Sequence, residues 1–215
     1  MCGRFTVVKS SDNIEARFNV KIDDNIYQKR YNASPSQNLP IITNQDTSTV
    51  QFYKWGLIPF WAKNPRYSSK LINARAETLT EKPSFKYAIE KRRCLVIADG
   101  YYEWKNTPEG KVPYRITLPN DQLFAFAGIW ESWKNQGDVI NTFSIITVNT
   151  NSKLNWIHHR MPAILTQENE KDWLSNIPIN SAIEMLTPYQ SEDIAFQKVS
   201  TLVNSVKNDS HKIIS

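Results

Sequence analysis

At 215 residues, with 40% hydrophobic and 22% charged side chains, the chain has the composition of a folded soluble protein long enough to bury a real core. A formal charge of +5 and seven Trp among 12% aromatic residues favour a partner carrying both phosphates and stacking bases, although a basic protein with an aromatic-rich core has the same composition. Two cysteines exclude a disulfide framework, and no apolar run reaches signal-peptide or membrane-spanning length, so a cytoplasmic protein with reduced thiols is expected.

In chain order, Arg4–Val8 reads as a strand, followed by a helix from Ser11 with Ile14 and Phe18 on one face. Asn32–Gln37 reads as a loop, and Leu39–Thr43 and Val50–Leu57 as strands. Ile58–Ser69, rich in aromatics and without a period, is a long structured loop; Asn73–Thr80 reads as a short helix. Pro83 opens a further helix in which Phe85, Ala88 and Ile89 share a face and Lys91, Arg92 and Arg93 suit the C-terminal end. Cys94–Ala98 is a short buried strand that makes Cys94 a structural thiol. Strands recur at Tyr101–Lys105, Val112–Leu118, Leu123–Trp130 and Thr142–Val148. Thr166 starts a helix with Glu168 and Glu170 in its first turn, Ser181–Met185 is a helical turn, and Ala195–Val199 is a last strand. No repeat or linker divides the chain, so 1–215 is read as one domain with a polar, disordered tail from about 201. Many antiparallel-looking strands with inserted helices give an α+β fold around a curled, mostly antiparallel sheet with a barrel-like core.

Four places carry chemistry. Removal of Met1 would leave Cys2 as an N-terminal 1,2-aminothiol, whose amine condenses with an aldehyde and whose thiolate then closes a thiazolidine ring. Arg4 next to it would favour both the free amine and the thiolate. Glu103 lies among aromatics in Ala98-Asp99-Gly100-Tyr101-Tyr102-Glu103-Trp104, where burial would raise its pKa; strict alternation instead puts it on an exposed face with Tyr102 and Trp104 inward. His158 and His159 point to opposite faces if extended, so one can enter a pocket, and no Cys or His has metal-ligand spacing. Asn73 either caps a helix or donates to a developing oxyanion, while Arg75 suits a phosphate.

Together these segments resemble the SRAP family (SOS response-associated peptidase), understood as abasic-site-processing proteins. The resemblance rests on Met1-Cys2-Gly3-Arg4-Phe5, Tyr31-Asn32-Ala33-Ser34-Pro35, Trp55-Gly56-Leu57-Ile58-Pro59 with Trp61, Asn73-Ala74-Arg75-Ala76-Glu77, Arg93 through Trp104, and His158-His159-Arg160-Met161-Pro162. Val203-Asn204 adds a weaker match. Six short motifs in the family's order over roughly residues 1–165 are highly specific. The family's acidic position is occupied here by His159, which leaves the choice between the histidines open; nearness to Arg160-Met161-Pro162 favours His158.

The resemblance implies that trimmed Cys2 bonds covalently to the open-chain aldehyde of an abasic site in single-stranded DNA and shields it. Cys2 is then the nucleophile, Glu103 the catalytic carboxylate, His158 the catalytic histidine and Asn73 the group beside the sugar oxygen. Arg4, Arg75 and Arg160 would grip phosphates, and Trp61 is the favoured stacking residue over Trp55 and Trp104. No cofactor or metal is implied. The expected protein is a monomer, associated with the nucleoid when bound to damaged DNA, with the replication machinery as a candidate partner. The competing reading is a cysteine peptidase that acts on protein, including its own N-terminus; a non-catalytic single-strand binder is a second rival.

Overall fold

The computed structural model describes residues 2–190, 192 and 194–214. β1 (Arg4–Val7) runs into α1 (Ser11–Phe18). Ser10 sets the start of α1 by accepting from the Asn13 amide, and Asn19 closes it in the left-handed region at φ 54°. β2 (Arg30–Ala33), β3 (Asn38–Thr43) and β4 (Asp46–Trp55) follow. At Gly56 the backbone turns at φ 122°, and a Cβ there would lie 2.4 Å from the Ser68 carbonyl oxygen, so glycine is required. After the aromatic loop come β5 (Asn73–Arg75), α2 (Lys86–Lys91), β6 (Arg93–Ala98), β7 (Gly100–Thr107) and β8 (Gly110–Thr117). β9 (Phe124–Asn135), β10 (Asp138–Asn149), β11 (Arg160–Pro162), α3 (Gln167–Leu174), α4 (Ile179–Glu184) and β12 (Ala195–Lys198) complete the order.

β10 is the hub of the larger sheet. β4, β3, β6, β9 and β10 pair in succession as antiparallel neighbours, and a short parallel pairing of β10 with β4 at Thr142–Lys54 and Phe143–Trp55 closes the ring. Further along, β10 also holds β5 in parallel and β11 antiparallel. The result is a partly closed, mostly antiparallel barrel, as the sequence implied.

The second sheet, ordered β12-β8-β7-β1-β2, lies against this barrel. Fully buried Phe5 of β1 joins the two: its ring packs on Trp55 at 5.2 Å and on Phe126 at 5.9 Å. One such side chain stabilises the fold by roughly 1.5–3 kcal/mol, and it anchors the strand three residues from Cys2.

Three expectations are corrected. Asn73–Thr80 is not a helix: Asn73–Arg75 pairs with β10, and only a 3-10 turn at Ala76–Thr78 follows. The Asn32–Gln37 loop begins later, because Asn32 and Ala33 belong to β2. The tail beyond 201 is ordered, with Val203 and Ile213 buried against Tyr102. Polar groups hold it: Asp209 accepts from the Tyr31 and Asn32 amides at 2.6 and 2.9 Å, and the Asn32 side chain donates to the Val203, Ser205 and Asn208 carbonyls. The Lys91–Arg93 run ends α2 as expected, with the Arg93 guanidinium donating to the Ile89 carbonyl. No helix among the described residues is long and apolar enough to cross a membrane.

Candidate active site

Asp99 fixes the site's frame. Its buried carboxylate accepts from the Thr6 hydroxyl at 2.6 Å and from the Val8 and Lys9 amides, tying the end of β1 to the start of β7. The resulting register sets Arg4 opposite Tyr102 and Phe5 opposite Tyr101, so the chain before β1 runs alongside Glu103. Asn73 reaches the same spot from β5 and donates its side-chain amide to the Cys2 carbonyl at 2.8 Å. His158, just before β11, and Glu103 line one narrow cleft together with Tyr101, Thr150, Ile157 and Arg160.

Cys2 is fully buried. Burial pushes its thiol far above the ordinary range, and the negative charge of Glu103 pushes it further; Arg4 acts in the opposite sense but more weakly. In the chain that retains Met1 the Arg4 charge favours the thiolate, as expected, but burial and Glu103 outweigh it. The Arg4 guanidinium, half-buried, donates to the Gly3 carbonyl at 2.9 Å. Glu103 is itself buried, which raises its pKa. Of the two readings of Glu103, the inward one holds.

His158 rather than His159 enters the cleft. The two rings stack with centroids 4.3 Å apart, but His159 is exposed while His158 is half-buried. The Arg160 amide donates to His158 Nδ1 at 2.9 Å, which makes Nδ1 an acceptor and puts the proton of the neutral ring on Nε2. Burial, then the neighbouring His159, lower the His158 pKa to about 4, so the ring is neutral at physiological pH.

The arginines diverge. Arg75 is exposed on β5, where its charge faces solvent. Arg160, expected on a phosphate, is 6% exposed. Its guanidinium grips Glu77 through two nitrogens at 2.6 and 3.0 Å and also donates to Asn149 and to the Thr147 carbonyl. Its side chain thus fixes the start of β11, whose Arg160 amide holds the His158 ring. Asn73, expected beside the sugar oxygen, likewise spends its N–H groups on Cys2, and its Oδ1 is buried without a hydrogen-bond partner among the described residues.

Trp61 is 44% exposed, lies edge-on to Tyr67 and donates to the Pro83 carbonyl. Trp55 belongs to the core, and half-buried Trp104 donates to Asn204. Cys94 is buried as read, close enough to Gly128 that a Cβ there would meet its sulfur at 2.8 Å. Tyr101 was not singled out from the sequence. The signal was its i, i+2 relation to Glu103, which puts both side chains on one face of β7; burial, with the Glu103 charge acting in the same sense, raises the pKa of its hydroxyl.

The profile of the family described as SOS response associated peptidase (SRAP) matches residues 1–206. The chain belongs to this family. It is 45% identical over 221 residues to the "Abasic site processing protein YoqW" of Bacillus subtilis (strain 168), covering 100% of this chain and 99% of that one. It is 34% identical to the "Abasic site processing protein HMCES" of Xenopus tropicalis, across 87% of this chain and 66% of that one. A crystal structure of a protein from Bacteroides thetaiotaomicron superposes with a TM-score of 0.90 at 33% identity, covering 99% of the SRAP chain described here and 98% of its own.

Proposed function

We propose that this SRAP chain processes abasic sites in DNA, and that it does so on a single strand by forming a covalent thiazolidine through Cys2 once Met1 has been removed. One observation carries the reading. Cys2, Asn73, Glu103 and His158 come from four separate segments, and each reaches the same spot or acts electrostatically on it. The full-length relatives named as abasic site processing proteins support the substrate class.

The abasic sugar is mostly a closed hemiacetal. As the C1′–O4′ bond breaks, a water relays the anomeric hydroxyl proton to the ring oxygen, and neutral His158 steadies that oxygen with a hydrogen bond from Nε2–H. The Cys2 amine then adds to the aldehyde carbon, and protonated Glu103 donates the proton with which the hydroxyl leaves as water. The Glu103 carboxylate left by that step takes the thiol proton, and the thiolate adds to the iminium carbon, its electron pair forming the C–S bond while the C=N pair returns to nitrogen. One water is lost overall, and the carbon that began as a carbonyl ends bonded to both nitrogen and sulfur. With the nitrogen in a saturated ring, the β-elimination that breaks the strand is blocked. Asn73 holds the Cys2 carbonyl so that nitrogen and sulfur face one carbon. General acid–base assistance of this kind contributes about 10²–10⁴-fold.

The test is denaturing electrophoresis of the trimmed protein with a uracil-containing single strand treated with uracil glycosylase. A heat-stable shifted band is expected, absent with Cys2→Ala and absent when extra residues precede Cys2. A band that survives blockage of the amine would replace this chemistry with a thiol-only reaction, as the peptidase reading requires.

A further inference from the structure

An aromatic shelf adjoins the cleft, built on residues to which the reaction above gives no part. Tyr114 of β8 is paired directly with Glu103 of β7, so their side chains share one face of the second sheet. Lys105, two residues beyond Glu103, lies on that face as well. Trp156, two residues before His158, sits over this corner. Its ring meets Tyr114 edge-on at 5.1 Å and Phe196 at 5.2 Å, and the Lys105 ammonium lies 4.7 Å from its centroid. Despite these contacts Trp156 remains 40% exposed and Phe196 38% exposed.

We infer that Trp156 and Lys105 form a subsite for the nucleotide next to the abasic site, the indole stacking on its base and the ammonium meeting its phosphate. The inference rests on the proposed function, since only a strand whose missing base lies at Cys2 brings a neighbour to this place. The geometric reason is short reach. Glu103 and His158 act on the abasic sugar, and the shelf begins one cross-strand partner away from the first and two residues away from the second. The adjacent nucleotide must lie within a few ångströms of them. An indole with a cation over one face offers an unpaired nucleotide a stacking surface for its base and a charge for its phosphate, independent of base identity.

The test separates stacking from simple support of the His158 segment. Capture rates are compared for an abasic strand with ordinary flanking bases and for one flanked on both sides by base-free tetrahydrofuran spacers. Wild type should capture the first faster. Trp156→Leu, which keeps apolar bulk, should slow capture of the base-flanked strand about tenfold and leave the spacer-flanked strand nearly unchanged. Trp156→Phe should recover part of the loss, and Lys105→Ala should flatten the salt dependence on both strands. Equal slowing of both strands by Trp156→Leu would make Trp156 an anchor of the His158 segment and overturn the subsite. Equilibrium binding to strands carrying an unreactive tetrahydrofuran abasic analogue, with and without flanking bases, reads the same contact without the covalent step. Wild type that forms no crosslink but still binds the base-flanked analogue in a Trp156-dependent way would sink the thiazolidine and spare the shelf.

Discussion

Glu103 raises the Cys2 thiol pKa through its charge and, in the proposed chemistry, supplies the proton for dehydration. Glu103→Gln should therefore ease thiolate formation and yet slow the reaction. The thiol pKa, followed by thiolate absorbance, should fall, while crosslink formation should slow by roughly 10²–10⁴-fold. A variant that lowers the thiol pKa and accelerates capture would show that the carboxylate is only an electrostatic obstacle. His158 gives a pH signature. With a folded-state pKa of about 4 against an ordinary 6.5, the unfolded chain binds the extra proton between those values, so stability falls as pH drops through that window and levels off below it. His158→Gln should flatten that part of the curve, read as urea midpoints from pH 7 to pH 4. An unchanged slope would mean that the ring titrates normally.

At the scale of elements, the ion pair that ties β11 to the 3-10 turn after β5 organises the site. Arg160→Ala removes a buried cation that holds Glu77, Asn149 and the Thr147 carbonyl, and should destabilise the protein by about 2–4 kcal/mol in denaturant unfolding. Because the lost side chain fixes the segment whose amide holds the His158 ring, capture should slow even where the protein remains folded; an unaffected rate would detach Arg160 from the histidine. This ion pair was hidden in the sequence because Glu77 is 83 residues away, and an arginine beside a histidine motif reads equally well as a phosphate ligand. Asn73–Arg75 misled for a related reason. An Ala-containing stretch carries helical propensity, and only non-local pairing with β10 makes it a strand. β7 shows the limit of alternation. Tyr102 packs under the C-terminal tail while Tyr101 and Glu103 face the cleft, so both faces are buried and a period-two pattern cannot say which points inward.

Over the whole molecule, the partly closed barrel was legible as a class from strand recurrence and turn residues, and the motifs named the residues that come together around Cys2. The ordered tail was not, because its few apolar anchors, Val203 and Ile213, show no period and the rest is held by polar bonds from Asp209 and Asn32. Asp209→Ala should cost about 1–3 kcal/mol and raise hydrogen exchange across β2 and the 201–214 segment. Exchange confined to the last residues would mean that the tail packs without it.

The linkage at the sugar carbon is the most direct measurement of the central claim. With the abasic C1′ carbon labelled with ¹³C, NMR of the purified adduct of trimmed protein should show a saturated carbon bonded to both the nitrogen and the sulfur of Cys2. An imine carbon, a sulfur-only hemithioacetal or an unmodified hemiacetal at that position would contradict it.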